Sequence, residues 1–115
     1  MSRVTSTPQA TFKAIADPSR RRLLDLLLER DIPAQELASH FTMSFPAVSQ
    51  HLSVLLKAGL VTKRAAGRQR VYCAAPHSLQ AVHEWTAKYQ RFWSGRLRRL
   101  GHYLDHGAKS QGTRP

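Results

Sequence analysis

The stretch that most constrains this chain is Thr42-Met-Ser-Phe-Pro-Ala-Val-Ser-Gln-His-Leu-Ser-Val-Leu-Leu-Lys57. Val48, Leu52, Leu55 and Leu56 recur at helical spacing, so one face of a helix here is apolar. The other face offers Ala47, Gln50, Ser53 and Lys57, which are small or polar. Ser44 is placed to cap this helix, its first turn accepts Pro46, and Gly59 supplies a stop. A helix divided in this way docks one side on a core. Its other side can approach the base edges of a DNA groove without steric or charge conflict.

The segments before it supply a partner helix. Pro8 begins a first helix with Phe12, Ile15 and Ala16 on one face. Asp17-Pro18 caps and starts a second, which runs to about Arg30 with Leu23, Leu24, Leu27 and Leu28 as its expected buried stripe. Arg20, Arg21 and Arg22 open that helix, and an exposed turn or phosphate contact explains the run equally well. Ile32-Pro33 reads as a break, either a short strand or an extended link. A third helix from Ala34 to Phe41 carries Leu37, Ala38 and Phe41. The turn Thr42-Met43-Ser44 then joins it to the fourth, which is the helix-turn-helix geometry.

After Gly59 the periodicity changes. Leu60–Arg64 and Gln69–Cys73 read as two strands joined by Ala65-Ala66-Gly67-Arg68, a hairpin with a basic tip. From His77 to Leu104 one long helix repeats Leu79, Val82, Trp85 or Thr86, Tyr89, Phe92 or Trp93, Leu97, Leu100 and Leu104 every three to four residues. The expected fold is mainly α with a small β-hairpin, a winged helix-turn-helix of order α-α-α-α-β-β-α. Residues 8–105 form the domain, between a flexible arm (1–7) and a flexible tail (106–115).

Charge points to the partner. Lys and Arg number 18 against 7 Asp and Glu, a net charge of +11 in 115 residues. No acidic residue falls between Glu36 and Glu84, whereas Lys57, Lys63, Arg64, Arg68 and Arg70 do. This balance favours a polyanion. In a winged helix the fourth helix reads base edges, and the hairpin's Lys63, Arg64, Arg68 and Arg70 lie on phosphates. Gln50 faces directly away from the apolar stripe, and its amide can pair bidentately with adenine. Ala47 beside it can touch a thymine methyl. Ser49 and His51, on the flanks, reach phosphates, and Phe45 is expected to pack inward. The alternative is a non-specific, nucleoid-type binder driven by net charge. No nucleophile–base–acid set or phosphate loop occurs, so an enzyme is not expected.

Cys73 is the single cysteine, which rules out an intramolecular disulfide and suits a reducing cytoplasm. The N-terminus has no apolar segment resembling a secretion signal, and no apolar run approaches the ~20 residues that span a bilayer. Neither membrane association nor a cofactor is expected.

Ala16-Asp-Pro-Ser-Arg-Arg-Arg-Leu-Leu24, Glu36-Leu-Ala, Pro46-Ala-Val-Ser-Gln-His-Leu-Ser-Val-Leu55, Ala58-Gly-Leu-Val61 and Gly67-Arg-Gln-Arg-Val-Tyr72 together resemble the ArsR family of bacterial winged-helix repressors. The resemblance covers about residues 8–105. It implies a homodimer, paired through the first and last helices, that occupies a promoter palindrome with Ser44, Pro46, Ala47, Ser49, Gln50 and His51 in or near the major groove. Phe12, Trp85, Tyr89, Phe92, Trp93, Leu97, Leu100 and Leu104 are then the expected dimer interface, since an aromatic stripe left in water is an exposed apolar patch. Many members of the family sense metals, but this chain departs from their patterns. Ala34, Gln35, Glu36, Leu37 and Ala38 stand where a cysteine motif would lie. Tyr89 and Phe92 stand where the last helix would carry its second pair of ligands. His102 and His106 share a helix face without a thiol or carboxylate beside them, so no metal site is expected. The alternative within the class is a repressor that responds to an unknown small molecule, or to an oxidant at Cys73.

Overall fold

Each of the three longer helices before the hairpin begins at a side-chain cap. In the computed structural model, which describes residues 7–107 (with side chains except at Ser94 and residues 96–107), α1 (Pro8–Ala14) starts at Thr7, whose hydroxyl accepts from the Ala10 N–H at 3.1 Å. α2 (Pro18–Glu29) starts at Asp17, whose carboxylate accepts from the N–H groups of Ser19 and Arg20. α4 (Phe45–Lys57) starts at Ser44, whose hydroxyl accepts from the Ala47 N–H at 3.3 Å. Each cap satisfies N–H groups that a helix start otherwise leaves unpaired.

The third helix is shorter than its sequence suggests. α3 (Ala34–Ala38) ends three residues before Phe41. The N–H of His40 bonds the Leu37 carbonyl and that of Phe41 bonds Ala38, the tighter i to i+3 pattern, while the Ser39 hydroxyl takes the Glu36 carbonyl at 2.6 Å. The last turn is therefore 3₁₀-like, and the connection to α4 spans residues 39–44 rather than three.

Ile32-Pro33 is a strand, β1, and the hairpin becomes a three-stranded antiparallel sheet of order β1-β3-β2, with β2 at Val61–Ala66 and β3 at Gln69–Ala74. Pro33 is tolerated because β1 lies at the edge. Ala65 and Ala66, expected in the loop, pair instead with Arg70 and Gln69, which leaves Gly67-Arg68 as a two-residue turn. Gly67 has φ +64°, and positive φ at the first central residue alone fits a type II′ hairpin. A short 3₁₀ turn (Pro76–Leu79) precedes α5 (Gln80–Gly107).

The chain forms two compact units, one through Val82 and one from His83. The first has a core of Leu23, Leu27, Ile32, Leu37, Val48, Leu52, Leu55, Leu60 and Val61, all buried. Leu28, expected in the α2 stripe, is instead 64% exposed. It lies with Ile15, Leu24, Ala74, Pro76 and Leu79 around an open apolar hollow on this unit's surface. The core takes the face of Leu23, Leu24 and Leu27, with Leu26 packed at its margin, and Leu28 falls outside it. In the second unit the rings of Trp85 and Tyr89, one helical turn apart, pack tilted at 60° with centroids 5.4 Å apart. Residues 1–6 and 108–115 lie outside the described residues, as do the side chains of Leu97, Leu100, Leu104, His102 and His106.

Candidate nucleic-acid interface

α4 is held to the core along one side. Val48, Leu52 and Leu55 are buried, while Ser49 and Gln50 on the far side are exposed, as are Ser44, Pro46 and Lys57. Ala47 and Ser53 are half-buried at the margins. The helix ends in a Schellman arrangement. The Gly59 N–H bonds the Leu56 carbonyl and the Leu60 N–H bonds Leu55, both at 3.0 Å, with Gly59 at φ +76° and Leu60 buried. This end fixes the angle at which the chain leaves α4 to enter β2.

Phe45 departs from expectation. It does not pack inward but is 47% exposed. It precedes Val48 by one turn, where the core has already ended. Its ring lines an open cleft of about 410 Å³ with Pro33, Ala34, Gln35, Arg68, Gln69 and Arg70. An aromatic ring and two arginines thus face one cleft between the start of α4 and the hairpin.

The hairpin register sorts its cations. Opposed residues in a sheet share a face. Lys63 opposes Tyr72 and Ala65 opposes Arg70, so Lys63 and Arg70 lie on one face. Arg64 opposes Val71 and lies on the other, where its guanidinium reaches the Asp31 carboxylate at 3.4 Å. Arg68 occupies the turn. All four are exposed. Cys73, opposite Thr62, is half-buried and unbonded to any other sulfur.

The arginine run of α2 is neither an idle solvated turn nor a free phosphate patch. Arg20 donates Nε to the Ala14 carbonyl (2.7 Å) and Nη2 to the Lys13 carbonyl (3.1 Å), and Arg21 donates to the Ile15 carbonyl (2.7 Å). Arg22 lies over the Phe41 ring, 5.7 Å from its centroid. Arg20 also brings Nη1 to 3.2 Å from Nδ1 of His51 on α4, and the Asp17 carboxylate stands 3.9 Å from the same nitrogen. His51 is therefore engaged by α2, with its side chain 22% exposed. Sequence reasoning missed Arg20 and Asp17 as neighbours of this helix. The Asp-Pro-x-Arg spacing marked only a cap.

Electrostatics follow these contacts. Partial burial pushes the Asp17 carboxyl up. The N–H bonds from Arg20 and Ser19 and the attraction of His51 and Arg20 outweigh that, so it sits below its usual range. Glu36 is lowered chiefly by its hydrogen bond from Arg30, with which it forms an ion pair, and Arg30 is raised by the same bond.

On α5, Trp85, Tyr89, Phe92 and Trp93 are all exposed, and Phe12 on α1 is half-buried. Among the described residues no three His, Cys, Asp or Glu side chains gather where a metal could bind, and no helix is long and apolar enough to cross a membrane.

Comparison with known proteins gives a consistent family. The model of the bacterial regulatory protein, arsR family, matches residues 17–63, which run from the α2 cap through α4 into the hairpin. An HTH-type transcriptional regulator of Mycobacterium tuberculosis is 37% identical over 99 residues, covering 86% of this chain and 90% of its own length. The transcriptional repressor SdpR of Bacillus subtilis is 37% identical over 78 residues, covering 68% of this chain and 87% of itself. Among solved structures, an ArsR family transcriptional regulator superposes with a TM-score of 0.67 at 31% identity, over 75% of this chain and 94% of that one.

Proposed function

Because this chain belongs to the arsR family of bacterial regulatory proteins and is a DNA-binding transcriptional repressor, not an enzyme, we propose that it acts as a homodimer on a palindromic promoter site. The observation that carries this reading is the division of α4, buried through Val48, Leu52 and Leu55 and exposed at Ser49 and Gln50. In the groove, Gln50 reads adenine and Ala47 meets a thymine methyl, flanked by Ser44, Pro46, Ser49, His51 and Ser53. Lys57, Lys63, Arg68 and Arg70 neutralise phosphates, with Arg64 in a lesser role because Asp31 already holds it.

Dimerisation is supported by the aromatic face of α5. Four exposed rings are a large apolar cost in water, and a second copy removes it. Phe12, Leu97, Leu100 and Leu104 are assigned to the same interface. The protein acts in the cytoplasm and takes its signal, if it has one, without a metal site.

Sedimentation at micromolar protein is expected to give twice the chain mass. A footprint on promoter DNA is expected to show two half-sites about 10 base pairs apart, centre to centre. Equal affinity for promoter and scrambled duplex at physiological salt refutes the site-specific reading and favours nucleoid-type binding. A zinc titration is expected to change operator affinity by less than tenfold.

A further inference from the structure

We propose that Arg20 is a positioning residue for DNA binding: it holds the imidazole of His51 in the tautomer whose free nitrogen is a donor, and so aims that donor at a DNA phosphate. The proposal rests on the reading that α4 enters the major groove.

The chemistry of the contact decides the tautomer. A guanidinium has donors and no acceptor. Its Nη1 lies 3.2 Å from Nδ1 of His51, so Nδ1 carries the lone pair and the ring proton resides on Nε2. Which nitrogen carries the proton is set by the bond the other one makes. With Nδ1 occupied by Arg20, Nε2–H is the polar atom left for a ligand, and an N–H donor suits a phosphate oxygen.

Arg20 is itself fixed. Its Nε and Nη2 donate to the carbonyls of Ala14 and Lys13 at the end of α1, the latter also taken by the Ala16 N–H at 3.3 Å. Turning the guanidinium toward DNA would break both bonds together with the contact to His51. Arg20 is therefore built to hold a ring, not to neutralise a phosphate. Asp17 supplies the competing arrangement. At 3.9 Å from Nδ1, its carboxylate is the acceptor that an Nδ1–H ring would turn to if Arg20 were absent. That ring would present a lone pair at Nε2, which repels a phosphate. Three elements, the end of α1, the start of α2 and the middle of α4, meet on this one side chain.

The test uses the full chain and a duplex selected by the wild-type protein from a random-sequence pool. In mildly alkaline buffer, the ¹⁵N spectrum of the His51 ring is expected to show a bare Nδ1 and a protonated Nε2. A protonated Nδ1 overturns the proposal, and does so even if Arg20→Met fails to fold. Arg20→Met should shift the ring toward the Nδ1–H form and weaken the selected duplex about tenfold, with the dependence of affinity on salt unchanged. Adding His51→Gln to Arg20→Met should recover most of the loss, because the glutamine amide donates without help from Arg20. Unchanged affinity in Arg20→Met, or a salt slope lower by about one, overturns the proposal, the latter because Arg20 would then be a phosphate ligand itself. If the wild-type chain shows no preference for the selected duplex, the repressor reading fails, and the ring spectrum still judges the Arg20 assignment separately.

Discussion

Replacing Gly59 by alanine tests how firmly the end of α4 is set. Gly59 sits at φ +76°, where an L-residue suffers a clash between Cβ and the backbone that costs about 1–2 kcal/mol. Alanine also restricts the unfolded chain, which returns about 0.4–1 kcal/mol. The chain cannot escape cheaply by relaxing φ. The Gly59 and Leu60 N–H groups each hold a carbonyl of the last turn at 3.0 Å, and losing such bonds costs about 1 kcal/mol apiece. Leu60 is also fully buried, so moving it uncovers the core. The net expectation for Gly59→Ala is a loss of about 1 kcal/mol, a fall in Tm of several degrees for a domain this size. Gly59→Asn should fall between, because asparagine tolerates the left-handed region better than alanine. Chemical denaturation of the three proteins at equal chain concentration checks the order Gly, Asn, Ala. If alanine matches or exceeds glycine in stability, the strain assigned to this position is absent and the Schellman end does not fix the exit from α4.

Three further outcomes are expected. Gln50→Ala should cost about 1–3 kcal/mol at the selected site and little on scrambled DNA, whereas Arg68→Ala should weaken all sequences alike; the two are separated by binding titrations against a set of single-base variants. Arg70→Ala should lower the salt slope by about one, and Arg64→Ala by less, because Asp31 stands against Arg64 before DNA arrives; equal slopes would show that this ion pair opens freely. At neutral pH Asp17→Ala should cost about 1 kcal/mol of stability, and Asp17→Asn less, since asparagine also caps. Folding lowers the Asp17 carboxyl below its ordinary 3.8, so its charge contributes stability above that value and loses it as pH falls through the lowered folded value. Urea melts across the acid range should therefore show a shallower acid limb in Asp17→Asn than in wild type.

The starts of α2 and α4 and the end of α4 were legible because those signals are local, whereas the early end of α3 was not. Asp17-Pro18, Ser44 with Pro46, and Gly59 each act within one turn, and each acts as its chemistry requires. Periodicity located the α4 core face but not the edges of stripes. Leu28 and Phe45 both have apolar side chains at helical spacing from buried residues, and both lie past the limit of the core. Alanines 65 and 66 are weak strand formers, yet the ladder extends through them, since pairing in a hairpin follows turn geometry more than propensity. The contacts that order the interface were not legible at all. Arg20 meets His51 across 31 residues and Arg64 meets Asp31 across 33, and no spacing or composition rule connects such pairs.

Those long-range contacts change what the net charge means. Arg20 and Arg21 are bonded to carbonyls, Arg22 lies over Phe41, Arg30 is paired with Glu36 and Arg64 with Asp31. Around α4 and the hairpin, Lys57, Lys63, Arg68 and Arg70 remain exposed and, among the described residues, form no ion pair. If those four meet phosphates, log affinity should fall against log salt with a slope of about 3.6 per protomer, or about 7 for a dimer. A binder driven by its whole excess of +11 would approach about 10 for a single chain. The salt titration thus separates the two readings of the same composition. The lower slope belongs to a protein in which Arg20, Arg21, Arg22, Arg30 and Arg64 are engaged by its own carbonyls, ring and carboxylates, and whose site preference then rests on Gln50 and its neighbours rather than on charge.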